Sequence, residues 1–172
     1  MDFDGAMGKD AVGIGIWIRS PAFQPDKVPS NVRACSYKLA FDCSNNEAKY
    51  EALIAGLKFL KKLKALRILV YGDSELVIKQ VKGEYQEKHL HMRAYINAIL
   101  EILRMFSDYI LTAVPWTQNI IADSLATAAR NLKIPMKSNN KFEIHVKNRS
   151  VVLDNLRYWQ AFWDDNEINT FL

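Results

Sequence analysis

The sequence predicts a mixed α/β fold, in which a sheet of about five strands is flanked by helices. Residues 1–4 indicate the end of one strand, and residues 13–19 alternate small and large side chains (G-I-G-I-W-I-R), which is typical of a hairpin strand. The rest of the chain alternates helical and strand patterns. A strand that follows a helix favours a right-handed parallel crossover. Together these observations predict antiparallel pairing at the start of the chain and parallel pairing after it.

The first part of the chain is expected to hold three strands and one long helix. A tight turn over Gly5–Gly13 joins the first two strands, and a proline-containing loop leads to a third strand over Ala34–Ala40. Ser44 or Asn45 is a candidate N-cap. The helix is predicted over Asn46–Leu63, because leucines recur there at helical spacing.

The second part is predicted to alternate helices and strands. The continuous apolar run over Arg67–Tyr71 indicates a strand that is covered on both faces. Helices are predicted over Ser74–Lys82 and over Met92–Phe106, the second with one apolar stripe. A strand over Tyr109–Val114 and an alanine-rich helix over Asn119–Asn131, which can pack closely on the sheet, complete the domain.

Length and composition favour a single folded domain with a tail. The 172 residues are 49% hydrophobic, which is enough for a sizeable core. The chain has no apolar run of about 18 residues and no leader pattern, so an intracellular protein, cytoplasmic or nuclear, is expected rather than a secreted one. Cys35 and Cys43 lack metal-binding spacing and are expected to be reduced. His89 and His91, placed in a loop, give little support for zinc.

The charge distribution says little about partners. The formal net charge of +4 is a mild basic bias, which lies in residues 1–140, whereas residues 141–172 are slightly acidic. This bias weakly favours a partner with a phosphate backbone. From charge alone, an ordinary solvated surface is the better explanation.

Three aspartates lie in short motifs at the ends of predicted elements. Asp4 (F-D-G-A) and Asp73 (Y-G-D-S) each end a strand, and Asp123 (I-A-D-S-L-A) lies in the first turns of the last helix. If the two strands pair in parallel, their carboxylates come side by side and could hold Mg²⁺. Taken singly, Asp4 is typical of a turn, Asp73 of a helix N-cap and Asp123 of a solvated helix surface.

Together these motifs resemble type I ribonuclease H, in the form found in plant gypsy-class LTR retrotransposon polyproteins. The resemblance covers about residues 1–135 and includes the pattern N-x-x-A-D-x-L-A, in which Asn119 precedes Asp123. It implies two-metal cleavage of the RNA strand of an RNA–DNA hybrid, with Asp4, Asp73 and Asp123 as the catalytic and metal-binding residues. Mg²⁺ is the implied cofactor, with Mn²⁺ as an alternative.

One position departs from that family. Its fourth carboxylate, a glutamate, lies three residues after the second asparagine of an N-N pair, and counting from Asn46 gives Lys49. Glu47 and Glu51 are each two residues away, about 200° around the helix, and cannot point where position 49 points. A lysine there would place a cation among the aspartates and compete with metal. The resemblance therefore predicts that cleavage is absent or severely reduced.

Binding of nucleic acid needs fewer residues than cleavage. The predicted nucleic-acid-binding residues are Ser44, Asn45, Asn46, Lys79, Lys82 and Asn119. The first three match a family segment that contacts the nucleic-acid backbone and minor groove, although they also suit a helix cap. The lysines could line a phosphate track, but isolated charges are more often simply solvated. Affinity from so few contacts would be weak and salt dependent.

Residues 136–172 are predicted to be a tail, which resembles the linker between ribonuclease H and integrase in those polyproteins. Expected partners are therefore RNA–DNA hybrid and the reverse transcriptase or integrase regions of a parent polyprotein. No membrane partner is expected, and the oligomeric state is open.

Two alternatives to a binding domain with impaired catalysis remain. One is an active hybrid ribonuclease with a low rate or an altered metal. The other is a non-enzymatic remnant or protein-interaction module that uses its aromatic tail.

Overall fold

The computed structural model describes residues 1–9, 11–20 and 32–131, together with the backbone of residues 145–147. Within these ranges the chain forms six strands and four α-helices. The strands are β1 (Asp2–Met7), β2 (Val12–Arg19), β3 (Val32–Leu39), β4 (Arg67–Gly72), β5 (Asp108–Ala113) and β6 (His145–Lys147). The helices are α1 (Asn45–Lys62), α2 (Glu75–Val81), α3 (Leu90–Leu103) and α4 (Ile120–Asn131).

All six strands form one mixed sheet, in the order β5-β4-β1-β2-β3-β6. β1 pairs antiparallel with β2, and β2 pairs antiparallel with β3. β1 and β4 pair in parallel, as do β4 and β5. The predicted fold class and the predicted change from antiparallel to parallel pairing are confirmed. β6, which pairs in parallel with β3, lies in the predicted tail, where the sequence pattern indicates no strand.

The helices cover the two faces of the sheet unequally. α1 packs on β1, β2 and α3, whereas α4 packs on β1, β2 and β3. Successive residues of β2 face opposite sides, so Ile14 and Ile16 enter the core that α1 covers while Gly13 and Gly15 face α4. No helix in the described part of the chain is both long and apolar enough to cross a membrane.

Two predictions about β1 and β4 are wrong. The tight turn does not begin at Gly5, because β1 pairs with β2 as far as Met7. Between β1 and β2, the Gly8 N–H donates to Ala11 O at 2.9 Å. The strand β4 is not covered on both faces: buried and exposed residues alternate along it, and Leu69 is 51% exposed. The reason is that α4 lies over β1–β3 and leaves one side of β4 open.

The contact between α4 and β2 leaves no room for side chains on the strand. A Cβ built on Gly13 would lie 2.1 Å from Ala126 O, and a Cβ built on Gly15 would lie 2.1 Å from Ala122 O. Both alanines are buried, and so is Ala129 one turn further on. The predicted close packing of an alanine-rich helix on the sheet is confirmed, and it fixes the start of α4 beside β1.

Gly15→Ala is expected to destabilise the fold by about 3 kcal/mol, because the new methyl group must displace the backbone of α4. Urea unfolding followed by circular dichroism measures the loss. Gly83→Ala is the comparison, since Gly83 has a φ of 76° but an added Cβ there would meet nothing within 4 Å. It should cost about 1 kcal/mol from backbone strain alone. Equal losses in the two variants would contradict the tight α4–β2 contact.

Candidate active site

Asp4 and Asp73 come together where β1 and β4 run side by side. The parallel register places Phe3 opposite Gly72, so the next position along each strand carries one of the aspartates. Asp4 is 3% exposed, and Asp73 is half-buried. The Oδ1 atom of Asp4 accepts a hydrogen bond from the Gly5 N–H at 2.8 Å, which fixes the orientation of this carboxylate.

Lys49 reaches this pair from the first turns of α1. Ser44 caps the helix through a capping box, in which its hydroxyl accepts from the Glu47 N–H and the Glu47 carboxylate accepts from the Ser44 N–H. Gly5 allows α1 to lie directly against β1, since an added Cβ would be 2.5 Å from the backbone carbonyl carbon of Ala48. The cap and the glycine together set the position from which Lys49 extends.

The ammonium of Lys49 joins both carboxylates. Its Nζ lies 2.7 Å from Asp4 Oδ1 and 2.5 Å from Asp73 Oδ1, and the Lys49 side chain is 12% exposed. Because both Oδ1 atoms accept hydrogen bonds from the same Nζ, they lie within about 5 Å of each other. At that distance two negative unit charges repel by about 3 kcal/mol at an effective dielectric constant of about 20. Lys49 therefore offsets a repulsion that the two aspartates would otherwise impose on the fold.

Burial and ion pairing act in opposite directions on these groups. Burial lowers the pKa of Lys49, but the hydrogen bonds and charges of Asp4 and Asp73 outweigh it, so that the Lys49 pKa is raised. For Asp4, burial is the larger effect and raises the pKa, although Lys49 acts to lower it. Because an ordinary lysine already has a pKa far above neutrality, Lys49 carries its charge at neutral pH.

The side chains around Lys49 do not fit a pair of Mg²⁺ ions. Mg²⁺ binds through carboxylate oxygens and water, and here an ammonium bridges the two carboxylates that it would share. Asp123 is exposed on α4, and its backbone N–H donates to Asn119 O at 3.1 Å. Within residues 1–9, 11–20 and 32–131, no three His, Cys, Asp or Glu side chains form a group that could hold a metal ion. The ligand roles of Asp4, Asp73 and Asp123 stay predictions.

Asn119 ties the start of α4 to β1. It is 1% exposed, and its Nδ2 donates to the carbonyl oxygen of Phe3 at 3.0 Å. Because Phe3 directly precedes Asp4, this bond holds the strand at the position from which Asp4 meets Lys49. Asn119 is thus a positioning residue in this structure, and its contact with nucleic acid stays a prediction.

Ser44, Asn45 and Asn46 lie at the start of α1, as predicted. Ser44 is the N-cap, which confirms the first of the two candidate caps. Ser44 and Asn45 are exposed, whereas Asn46 is half-buried. The N-terminal end of an 18-residue helix carries partial positive charge, so this exposed end is suited to a phosphate group.

The two predicted lysines at the C-terminal end of α2, Lys79 in the last turn and Lys82 at the C-cap, form ion pairs at the surface. Lys79 Nζ lies 2.5 Å from Glu75 Oε1 and 4.9 Å from the centre of the Tyr85 ring. Lys82 Nζ lies 3.4 Å from Glu84 Oε1. Exposed pairs of this kind contribute little to stability, so both lysines can turn towards a phosphate at small cost.

A polar group between α1 and α3 is not predicted from the sequence. His91 lies in the first turn of α3 rather than in a loop, and its Nε2 is 2.7 Å from Glu47 Oε1. Glu51 is fully buried and accepts a hydrogen bond from the Tyr95 hydroxyl at 3.1 Å. Both glutamates point away from the position of Lys49, in agreement with the helix geometry expected for them. The S-N-N-E capping box is the signal that could have located Glu47.

The sequence of this chain is similar to a known protein family and to a curated relative. The sequence model of the family described as "Reverse transcriptase-like" matches residues 2–129. Ribonuclease HI of Halobacterium salinarum is 37% identical over 86 residues, which make up 50% of this chain and 43% of that protein. The matched segment therefore spans less than half of this curated relative.

Solved structures of ribonucleases H1 share the fold. The crystal structure of ribonuclease H1 from Halobacterium salinarum has a TM-score of 0.64 and 30% sequence identity, and the match covers 74% of this chain and 93% of that one. The LC11 ribonuclease H1 in complex with an RNA/DNA hybrid has a TM-score of 0.65 and 25% identity, with 76% of this chain and 94% of that one covered.

Glu47→Gln is expected to destabilise the fold by about 1 kcal/mol at neutral pH, because it weakens the capping box. Burial raises the pKa of Glu47, but the hydrogen bonds from Ser44 and His91 outweigh it and lower the pKa below its ordinary value. A carboxylate with a lowered pKa stabilises the fold above the ordinary glutamate pKa, and this stabilisation is lost as the pH falls through the lowered value. Urea unfolding over a pH series should show the variant approaching the unaltered chain in acid.

Glu101→Gln is the matched control for this series, since Glu101 is an exposed glutamate on α3. It should behave like the unaltered chain at every pH. A loss of stability in Glu47→Gln that persists unchanged into acid would contradict a role for the Glu47 charge.

Proposed function

Since this chain belongs to the reverse transcriptase-like family and has a ribonuclease H-like fold, we propose that it binds RNA–DNA hybrids and that Lys49 impairs cleavage of the RNA strand. The position of the Lys49 ammonium carries this proposal. It lies 2.7 Å from Asp4 Oδ1 and 2.5 Å from Asp73 Oδ1, between two carboxylates that resemble catalytic aspartates of the family.

Lys49 opposes cleavage in two ways. It donates hydrogen bonds to one oxygen of each aspartate, and its positive charge would repel a divalent ion from the same two carboxylates. It also cannot take a proton from an attacking water, because its raised pKa keeps it protonated at neutral pH. The substitution therefore removes a ligand and supplies no base in its place.

Support for hybrid binding comes from a relative and from the surface of this chain. The LC11 ribonuclease H1 structure contains an RNA/DNA hybrid. In this chain, α1 begins shortly before Lys49, so the exposed start of α1 lies beside the ion-paired group. Ser74, the N-cap of α2, directly follows Asp73, and Lys79 and Lys82 lie at the C-terminal end of that helix. Contacts of this type to phosphates give weak, salt-dependent binding.

We further propose that the domain derives from a retroelement polyprotein. The description of the matching family and the resemblance of residues 136–172 to a ribonuclease H–integrase linker support this origin. Apart from the backbone of residues 145–147, that linker prediction lies outside the described residues. Reverse transcriptase or integrase regions of the same polyprotein are then the proposed protein partners.

Lys49→Glu is expected to restore Mg²⁺-dependent cleavage of a labelled RNA–DNA hybrid, because it replaces the bridging ammonium by a carboxylate. The unaltered chain should cut at least about 100-fold more slowly, which corresponds to about 2.7 kcal/mol of transition-state stabilisation. Both chains are assayed with Mg²⁺ and with Mn²⁺. Asp73→Asn versions of each detect contaminating nuclease, since they should be inactive.

The outcomes separate the functional alternatives. Cleavage by Lys49→Glu alone supports a binding domain with an impaired site. Cleavage by the unaltered chain that Asp73→Asn abolishes would show a working nuclease and overturn the proposed effect of Lys49. If neither chain cuts or binds the hybrid, the proposed function is wrong, and a non-enzymatic interaction module becomes the better explanation.

Replacing Lys79 and Lys82 together by glutamine is expected to weaken hybrid binding several-fold at low salt, because two phosphate contacts are lost. The slope of log affinity against log salt should become shallower by about 1.5. Fluorescence anisotropy with a labelled hybrid measures both quantities. The matched control replaces Lys58 and Lys61, exposed on the C-terminal half of α1, and should leave affinity and slope nearly unchanged. Equal effects of the two double variants would contradict a defined phosphate track on α2.

A further inference from the structure

We infer that the Lys49 ammonium is a built-in counter-ion that replaces divalent metal, so that neither folding nor hybrid binding by this chain requires a metal ion. The folding part stands on the structure of the ion-paired group. The binding part rests on the proposed function. Three features of the group carry the inference: its geometry, its place in the fold and its charge.

The geometry is that of a complete ion-paired site rather than a surface contact. One ammonium donates to two carboxylates at 2.7 and 2.5 Å. The side chains of Lys49, Asp4 and Asp73 are 12%, 4% and 17% exposed. Such limited exposure leaves little solvent to screen the charges, so the two aspartates depend on Lys49 for compensation.

The group also joins three elements that are distant in sequence. Asp4 belongs to β1, Asp73 follows β4, and Lys49 extends from α1, so each ion pair closes a long segment of chain. A divalent ion bound by carboxylates from the same elements would connect them in the same way. Lys49 makes this connection through an ammonium that is part of the chain. Its presence therefore does not depend on the concentration of metal ions or on a chelator.

The charge of the group determines its response to metal. Two carboxylates and one ammonium leave a net charge of −1 in the unaltered chain, whereas Lys49→Glu leaves three carboxylates and a net charge of −3. A metal ion must first displace the ammonium from both aspartates in the unaltered chain. Since a ligand raises stability only as far as it binds the folded state, Mg²⁺ should stabilise Lys49→Glu and have almost no effect on the unaltered chain.

Thermal unfolding without nucleic acid tests the folding part. The melting temperature is measured in EDTA and in millimolar Mg²⁺ at equal ionic strength. We expect Mg²⁺ to raise the Tm of the unaltered chain by less than about 1 °C, and that of Lys49→Glu by about 5 °C or more. In EDTA, Lys49→Glu should melt well below the unaltered chain. A Tm of the unaltered chain that rises with Mg²⁺ as much as that of Lys49→Glu would overturn the inference.

Two further variants keep the test decisive. Lys58→Glu makes the same charge change at an exposed position of the same helix and should show no Mg²⁺ response. Lys49→Met removes the ammonium without adding a carboxylate. If Lys49→Glu does not fold in either buffer, Lys49→Met decides: a lower Tm in EDTA and a larger Mg²⁺ response than the unaltered chain support the inference, and an unchanged Tm overturns it.

Hybrid binding in EDTA and in Mg²⁺, again at equal ionic strength, tests the binding part. We expect affinities of the unaltered chain that agree within about twofold, since its phosphate contacts come from protein groups. Binding that appears only with Mg²⁺ would overturn metal independence while leaving the proposed function intact. Absence of binding in both buffers would overturn the proposed function, and the thermal data would still decide whether Lys49 is the counter-ion.

Discussion

Two aspartates on neighbouring parallel strands share one ammonium, and the arrangement of the surrounding elements depends on this contact. Asp4 is almost fully buried, and Lys49 compensates its charge together with that of Asp73. The contact requires α1 to lie directly against β1, which Gly5 permits. It also requires β1 to be held in place from the other side, where α4 packs on the sheet and Asn119 bonds to the backbone beside Asp4.

Local patterns predicted the order of the elements from β1 to α4 and the pairing directions of the first five strands, because these depend on sequence spacing. Exposure of β4 could not be predicted in this way. Its apolar run is typical of a strand covered on both faces, but Leu69 is exposed because α4 lies over other strands. Which strands a helix covers is decided by tertiary packing, so the exposed face of β4 cannot be predicted from the residues of β4 alone.

Side-chain partners were the least predictable part of the site. Lys79 was predicted to line a phosphate track, and its pairing with Glu75 one helical turn earlier was not predicted. His91 was placed in a loop, yet it lies in α3 and its Nε2 contacts Glu47 on α1. The first pairing is readable from i to i+4 spacing on a helix. The contact between His91 and Glu47 depends on the distance between α1 and α3, which cannot be predicted from local sequence patterns.

The close contact between α4 and β2 and the capping box of α1 hold the elements that surround the ion-paired group. A crystal structure grown with Mn²⁺, with anomalous diffraction to locate the ion, is the most direct measurement. We expect Lys49 Nζ within hydrogen-bonding distance of both Asp4 and Asp73, and no anomalous peak between them. A Mn²⁺ ion bound by the two aspartates, with Lys49 turned away, would contradict the central role assigned to this lysine.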